Sequence, residues 1–275
     1  ELKPIRAKRL GPLPDEFGEV AGSVWSFPKR GGWAVHDGSY RGNWPPQIPR
    51  ILISLYTEPG GLVLDPMVGG GTSLIEAKLL GRNAIGVDIN YDAAILTFHR
   101  MYWLEQALKS FRATALSNKI GGVDVEAAER AAWKVCHGDA RNLGAIPDNS
   151  VDLVLLHPPY YNVIRYSDNP RDLSNAGTLE EFLVNVRAVA EEAFRVLKPG
   201  GVCAVLMGDT RVHKHYVPLT YYVLDEFLSA GFELEWEVVK IQHNMRATNE
   251  VWRERRRDFL LIYHEKLFIF RKPAG

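Results

Sequence analysis

Four polar clusters in this chain pair residue types that can do chemistry with a position just after an apolar run. His157-Pro158-Pro159-Tyr160 joins an imidazole, two prolines and an aromatic ring. A neutral imidazole offers one acceptor nitrogen, and prolines stiffen the chain around it. The glycine-rich run Asp65-Pro66-Met67-Val68-Gly69-Gly70-Gly71-Thr72 lets backbone pass close beneath a ligand, with Thr72 or Ser73 opening a helix. Asp88, with Ile89 beside it, can accept two hydrogen bonds from ribose hydroxyls. Asp139, with Ala140 beside it, is placed to accept from an adenine amino group. Each cluster taken singly has a plainer explanation. Glycine-rich turns after strands are common, and this one lacks the lysine of a phosphate loop. Asp88 and Asp139 could be helix caps, Pro158-Pro159 a loop stiffener, and a lone histidine a structural one.

Such clusters need strands to carry them to a common edge. The apolar run 62–64, the glycine turn and the periodic stretch 73–80 read as strand, loop and helix. A second unit follows, with a buried strand at 84–88 ending in Asp88 and a helix at 92–108. A helix is expected at 125–133, strands at 133–139 and 151–156, and a helix at 179–197. A strand at 202–207, a helix at 219–230 and two closing strands near 232–241 and 259–270 complete the order. Alternating strands and helices imply an α/β fold with a mostly parallel, doubly wound sheet. The final strands, with no helix between them, imply an antiparallel hairpin. In such sheets ligands gather at the carboxyl ends of the strands, where all four clusters stand. Residues 1–45, rich in Pro, Gly and aromatics without periodicity, read as an irregular extension packed on a catalytic domain at 46–275. Its residues Trp25, Trp33 and Trp44 are expected to pack the extension onto the core.

Read together, the clusters resemble the amino-methyltransferases, which methylate cytosine N4 or adenine N6 in DNA and have relatives acting on RNA. The resemblance covers residues 43–270. Residues 65–72 look like that family's Asp-Pro-Phe-x-Gly-Ser-Gly-Thr cofactor loop, with Met67 and Gly70 as departures. Residues 82–88 look like the strand that ends in its ribose-binding acid. His157-Pro158-Pro159-Tyr160 is similar to the catalytic Asp/Asn/Ser-Pro-Pro-Tyr/Phe motif. Residues 43–49 sit where the family has a segment closing over the cofactor's methionine part. The resemblance implies a Rossmann-like class I methyltransferase with a seven-stranded sheet and S-adenosylmethionine as cofactor. It implies that Asp65, Pro66, Met67, Gly69, Gly71, Thr72, Asp88, Ile89, Asp139 and Ala140 bind that cofactor.

The departure at position 157 carries a mechanism. An exocyclic amine is a poor nucleophile because its lone pair is delocalised into the base, so an enzyme must hold both N–H groups with acceptors. The carbonyl of Pro158 can supply one and the His157 side chain the other, provided the imidazole is neutral. Tyr160 is expected to stack on the extruded base. Activity is expected to fall in acid, with a midpoint within about two units of the free histidine value near 6.5. A non-acidic residue at 157 tilts the choice toward cytosine.

Little chain remains for reading a duplex. The segment 243–258 contains Arg246, Trp252, Arg253, Arg255 and Arg256, a basic aromatic cluster suited to phosphates and stacking, and Arg165 could join the same face. Its plainer explanation is a solvated charged helix. The shortage of recognition sequence favours structured RNA, such as ribosomal RNA, over DNA. A protein-glutamine methyltransferase and a noncatalytic nucleic-acid-binding module are the rivals of other classes. With 275 residues, 46% hydrophobic, the chain can bury a substantial core. A net charge of zero argues against a nonspecific nucleic-acid coat. Cys136 and Cys203 lack metal-ligand spacing, so no metal is expected and a reducing cytoplasm fits. No apolar run approaches the roughly 18 to 20 residues of a membrane span.

Overall fold

A computed structural model describes residues 3–17, 20–114, 119–161, 163–243 and 260–275. After a short strand β1 (Val24–Ser26) come α1 (Gln47–Tyr56), β2 (Leu62–Asp65), α2 (Thr72–Leu79), β3 (Asn83–Asp88) and α3 (Tyr91–Thr114). The two-residue strands β4 (Lys119–Ile120) and β5 (Val123–Asp124) lead into α4 (Val125–Arg130), β6 (Trp133–His137) and β7 (Val151–Leu156). Then follow α5 (Leu179–Val196), β8 (Leu197–Met207), the small hairpin β9 (Thr210–Val212) and β10 (His215–Val217), α6 (Leu219–Ser229), β11 (Glu233–Ile241) and β12 (His264–Arg271).

One sheet runs β1-β11-β12-β8-β7-β2-β3-β6. β2, β3, β6, β7 and β8 are parallel, while β12 pairs antiparallel with both β8 and β11. The seven expected strands are all present, and an eighth joins them. β1, from the extension, pairs parallel with β11. Three residues are too few to display the two-residue alternation that marks a strand in sequence. The helix at 125–133 stops at Arg130, because Trp133 already pairs with Ala84 at the sheet edge. β8 starts earlier than expected and takes in Lys198-Pro199-Gly200-Gly201, where Gly200 N donates to Lys272 O and Lys272 N to Gly201 O.

Helices cover both faces of the sheet, and the central strands alternate strictly between them. Leu153 and Leu155 of β7, Val202, Ala204 and Leu206 of β8, and Leu267 and Ile269 of β12 pack with Ile48, Leu52, Leu74, Met101 and Leu104. Val154 and Leu156, Cys203, Val205 and Met207, and Phe268 and Phe270 face Phe182, Val186, Leu219, Val223 and Phe227. A strand buried on both faces reads as a continuous apolar run, as 153–156 does. No helix among the described residues is long and apolar enough to cross a membrane.

Candidate active site at the strand ends

The sheet order sets four neighbouring strands side by side as β7, β2, β3 and β6. His157 follows β7 directly, Asp65 ends β2, Asp88 ends β3, and Asp139 lies just past β6. At about 4.8 Å between strands, this row spans roughly 14 Å. The glycine loop after Asp65 is tied down from α3: Thr97 Oγ1 donates to Gly69 O at 2.8 Å and Arg100 Nη1 to Gly70 O at 2.6 Å. Gly71 turns the chain into α2 with φ +81°, and a β-carbon there would meet Thr97 Cγ2 at 2.9 Å. A side chain at Gly70 would meet Arg100 Nη1 at 2.6 Å and the Tyr40 Cβ at 3.1 Å, so the loop must stay bare.

A cleft of about 730 Å³ opens over this row. Asp65, Pro66, Met67, Gly69, Asp88, Ile89, Asp139, Ala140, His157 and Pro159 all line it. Asp88 Oδ2 accepts from Gly69 N at 2.8 Å and Oδ1 from Asn90 N at 2.9 Å, so each oxygen keeps a further lone pair. Burial pushes Asp88 up to about 6, against those two hydrogen bonds. Asp65 is pushed by burial up to about 7, while its carboxylate accepts from Ser73 Oγ at 2.5 Å and Met67 N at 3.1 Å. Asp139 is gripped by Arg141, with Nε at 2.9 Å from Oδ1 and Nη2 at 2.7 Å from Oδ2. Burial works against ionisation of Asp139, but the Arg141 contacts outweigh it and hold the carboxyl below its usual range.

Gly71 and Thr72 do not line the cleft. Gly71 caps α2, and the Thr72 hydroxyl is bound to the Asn43 side-chain oxygen. The extension contributes more than packing. Trp25 and Trp33 are buried in the core, whereas Tyr40, Gly42, Asn43 and Trp44 line the cleft, joined by Tyr166, Asp172 and Leu173 from the loop after β7. Tyr40 and Tyr166 stack at 6.3 Å and 18°. Only residues 43–49 carried a sequence signal for this wall. Tyr40 stood in a stretch without periodicity, and Tyr166 and Asp172 in a polar loop of no motif.

A second cavity, of about 570 Å³, lies beside the first and shares Gly42, Asn43, Trp44 and His157 with it. Its other walls are Pro45, Lys240, Gln242, His243 and Glu265. His157 therefore stands at the junction of two cavities. Its ring lies nearly parallel to Trp44, at 5.6 Å and 23°. His157 Nε2 is 3.0 Å from the Tyr160 hydroxyl, which donates to Glu265 Oε1 at 2.6 Å. Burial drives His157 down to about 4; nearby Glu265 opposes this, while Lys240 and Arg30 add to it. That value lies below the range expected from the free residue, because the surroundings desolvate the ring. Pro158 is buried and lines neither cavity. Arg165 is exposed and pairs with Asp168 at 3.1 Å, away from the cleft lining. Arg246, Trp252, Arg253, Arg255 and Arg256 lie outside the described residues.

The family model for N6/N4 methyltransferases, described as DNA methylase, matches residues 2–97 and 151–274. The chain belongs to this family. The two matched stretches hold the glycine loop and the His157 tetrapeptide. Over 123 residues it is 44% identical to the Type II methyltransferase M.BglII of Bacillus subtilis, a match covering 42% of this chain and 31% of that one. It is 28% identical over 157 residues to the Type II beta methyltransferase M.BslI of Bacillus sp. (strain NEB-606), covering 52% of this chain and 16% of that one. The chain thus spans less than a third of the length of either relative. Among solved structures, a SAM-dependent methyltransferase from Methanosarcina mazei is 17% identical with a TM-score of 0.49, covering 82% of this chain and 98% of that one.

Proposed function

We propose that this chain is an S-adenosylmethionine-dependent N-methyltransferase that methylates the exocyclic amino group of a base in DNA, with cytosine N4 as the favoured target. The observation that carries the reading is His157 at the meeting of two cavities, one over the cofactor row and one open beside it. The cleft over the strand ends would take S-adenosylmethionine. Its bare glycine loop admits a ligand against the backbone, and Asp88 has a free lone pair on each oxygen for the two ribose hydroxyls. Ile89 and Ala140 would flank the adenine. Asp139 would take the adenine amino group only on lone pairs that Arg141 leaves free. Tyr40, Asn43 and Trp44 would close over the methionine part. When bound, the cofactor supplies an electrophilic methyl group on a positively charged sulfur.

The chain's own residues then act on the amine. The target base would enter the second cavity, with its amino group at the junction. His157 would accept one N–H and the backbone carbonyl between Pro158 and the cleft-lining Pro159 the other, once the base reaches past the Pro158 ring, which draws the nitrogen lone pair out of conjugation and toward the methyl carbon. Both acceptors are preorganised for the positive charge that develops on nitrogen. Cytosine is favoured because the residue at 157 is not acidic.

DNA takes the place of the structured RNA expected above. The family description supports it, and so does the kinship with Type II methyltransferases. The short recognition sequence loses its weight as an indicator of RNA, because the matched relatives are much longer. Methyl transfer from radiolabelled S-adenosylmethionine into DNA, RNA and protein, followed by nucleoside mass spectrometry, tests this reading. N4-methylcytosine in DNA is expected. N6-methyladenine would overturn the choice of cytosine, and label confined to RNA or protein would overturn the reading as a whole.

A further inference from the structure

We propose that Lys240, Glu265 and Tyr160 form a buried relay that sets the tautomer of His157, keeping the proton on Nε2 and leaving Nδ1 as the acceptor for the substrate amine. The relay builds on the methyl-transfer reading of His157 above. The need for it follows from the residue type. Aspartate, asparagine or serine at this position presents an acceptor oxygen in any protonation isomer of the neutral site. A neutral histidine presents an acceptor at a given place in only one of its two tautomers, and the other tautomer would aim N–H against N–H.

The proton count along the relay is closed. Lys240 on β11 and Glu265 on β12 are directly paired across the hairpin, and Lys240 Nζ lies 2.7 Å from Glu265 Oε2 with both side chains almost fully buried. Glu265 Oε1 accepts from the Tyr160 hydroxyl at 2.6 Å. A carboxylate can only accept, so the single hydroxyl proton of Tyr160 is spent there. Toward His157 Nε2, at 3.0 Å, the phenol oxygen can then only accept, and Nε2 must carry hydrogen. Among the described residues Nδ1 has no hydrogen-bond partner. Trp44, stacked on the imidazole at 23°, keeps the ring from turning the two nitrogens about. Burial and the neighbouring Glu265 carboxylate raise Tyr160 well above the usual phenol range, so its hydroxyl stays protonated. The charged groups facing His157 are Glu265 from β12, Lys240 from β11 and Arg30 from the extension, and the two cations disfavour an imidazolium. Lys240, Glu265 and Tyr160 are thus positioning residues. The ring of Tyr160 lies against Gly208, where a β-carbon would meet it at 2.7 Å, so it is held in place for this task.

Nitrogen NMR of the full chain labelled in its eight histidines, with the His157 signals assigned from a His157→Gln variant, reads the tautomer directly. At pH 7 the expected spectrum has hydrogen on Nε2 and a bare Nδ1. Tyr160→Phe removes the acceptor and should give a mixture of tautomers, together with a roughly 10- to 100-fold slower single-turnover methyl transfer at unchanged cofactor affinity. Hydrogen on Nδ1 in the wild-type protein would overturn the proposal, as would an unaltered Nε2–H population in Tyr160→Phe. Should Tyr160→Phe not fold, Glu265→Gln serves the same purpose: its amide can donate to the phenol oxygen and release the hydroxyl proton toward Nε2, and an unshifted tautomer there would also count against the relay. The spectrum needs no methyl acceptor. An unsuitable substrate would therefore leave it unchanged, while a wrong tautomer would leave the choice of substrate untouched.

Discussion

An imidazole accepts a hydrogen bond only while neutral, so the pH at which His157 takes up a proton sets the acid limit of the chemical step. Burial puts that point at about 4. Single-turnover methyl transfer at saturating cofactor and DNA should therefore stay level from pH 8 to about 5 and fall through about 4. A midpoint near 6.5 would mean that the ring is solvated and the cavity wrongly drawn. The same depressed value makes a stability statement. The unfolded chain takes up the proton near 6.5 and the folded one only near 4, so the contribution of neutral His157 is complete above 6.5 and is lost as the pH drops toward 4. His157→Ala should lower turnover by roughly 10²- to 10⁴-fold while cofactor binding, measured by calorimetry, is preserved. Unimpaired turnover would remove the residue from the mechanism. The tetrapeptide was legible as a motif within four consecutive residues. Its electrostatics were not, because Trp44, Lys240 and Glu265 come from positions 83 to 113 residues away and meet it only through the sheet order.

At the scale of elements, β2, β3, β6 and β7 bring Asp65, Asp88, Asp139 and His157 to one edge, at the strand end or within two residues past it, and each delivery was legible because a short strand-like run leads into an acid or into His157. The eighth strand and the cleft wall were not legible for the opposite reason: β1 has three residues, and Tyr40, Tyr166 and Asp172 sit in loops where no period or motif marks them. Asp88 shows what strand delivery adds to a plain carboxylate. Buried at the end of β3, it is pushed up to about 6, so below that pH it exchanges an acceptor for a proton. Cofactor affinity should consequently weaken as the pH falls through 6, two units above the limb set by His157. Two separate limbs are expected, one in the cofactor KM near 6 and one in the chemical step near 4. Asp88→Asn should abolish the upper limb and raise the cofactor KM by about 10-fold or more, in line with a lost charge-assisted hydrogen bond of about 1.5–3 kcal/mol. A cofactor KM that varies with pH in Asp88→Asn as it does in the wild type would exclude Asp88 as its source.

Across the whole molecule, one buried carboxylate is among the ties that join the extension to the body, beside the pairing of β1 with β11. Glu76 on α2 is fully buried, Oε1 accepting from Trp33 Nε1 at 2.7 Å and lying 2.6 Å from His36 Nε2, and Oε2 accepting from Arg50 Nη1 at 2.8 Å. Trp33 and His36 belong to the extension and Arg50 to α1, so the extension and α1 converge on a single side chain of α2. Burial opposes ionisation of Glu76, but Arg50 and His36 outweigh it and keep the carboxyl below its usual range. A buried charge with its partners satisfied is costly to break from one side, because the partners are left unpaired in the interior. Glu76→Ala should accordingly destabilise the fold by about 3–5 kcal/mol in denaturant unfolding. It should also do something that a core cavity elsewhere would not. Tyr40, Asn43 and Trp44 follow His36 within eight residues; all three line the cleft over the strand ends and Asn43 and Trp44 also the second cavity, so releasing the anchor should raise the cofactor KM and slow the chemical step even where the protein remains folded. Phe227→Ala, in the apolar cluster that holds no residue of the extension, is the control: it should lose a comparable amount of stability, about 3–5 kcal/mol, and keep its cofactor KM. Equal kinetics in the two variants would show that Glu76 holds the fold without holding the wall of the active site.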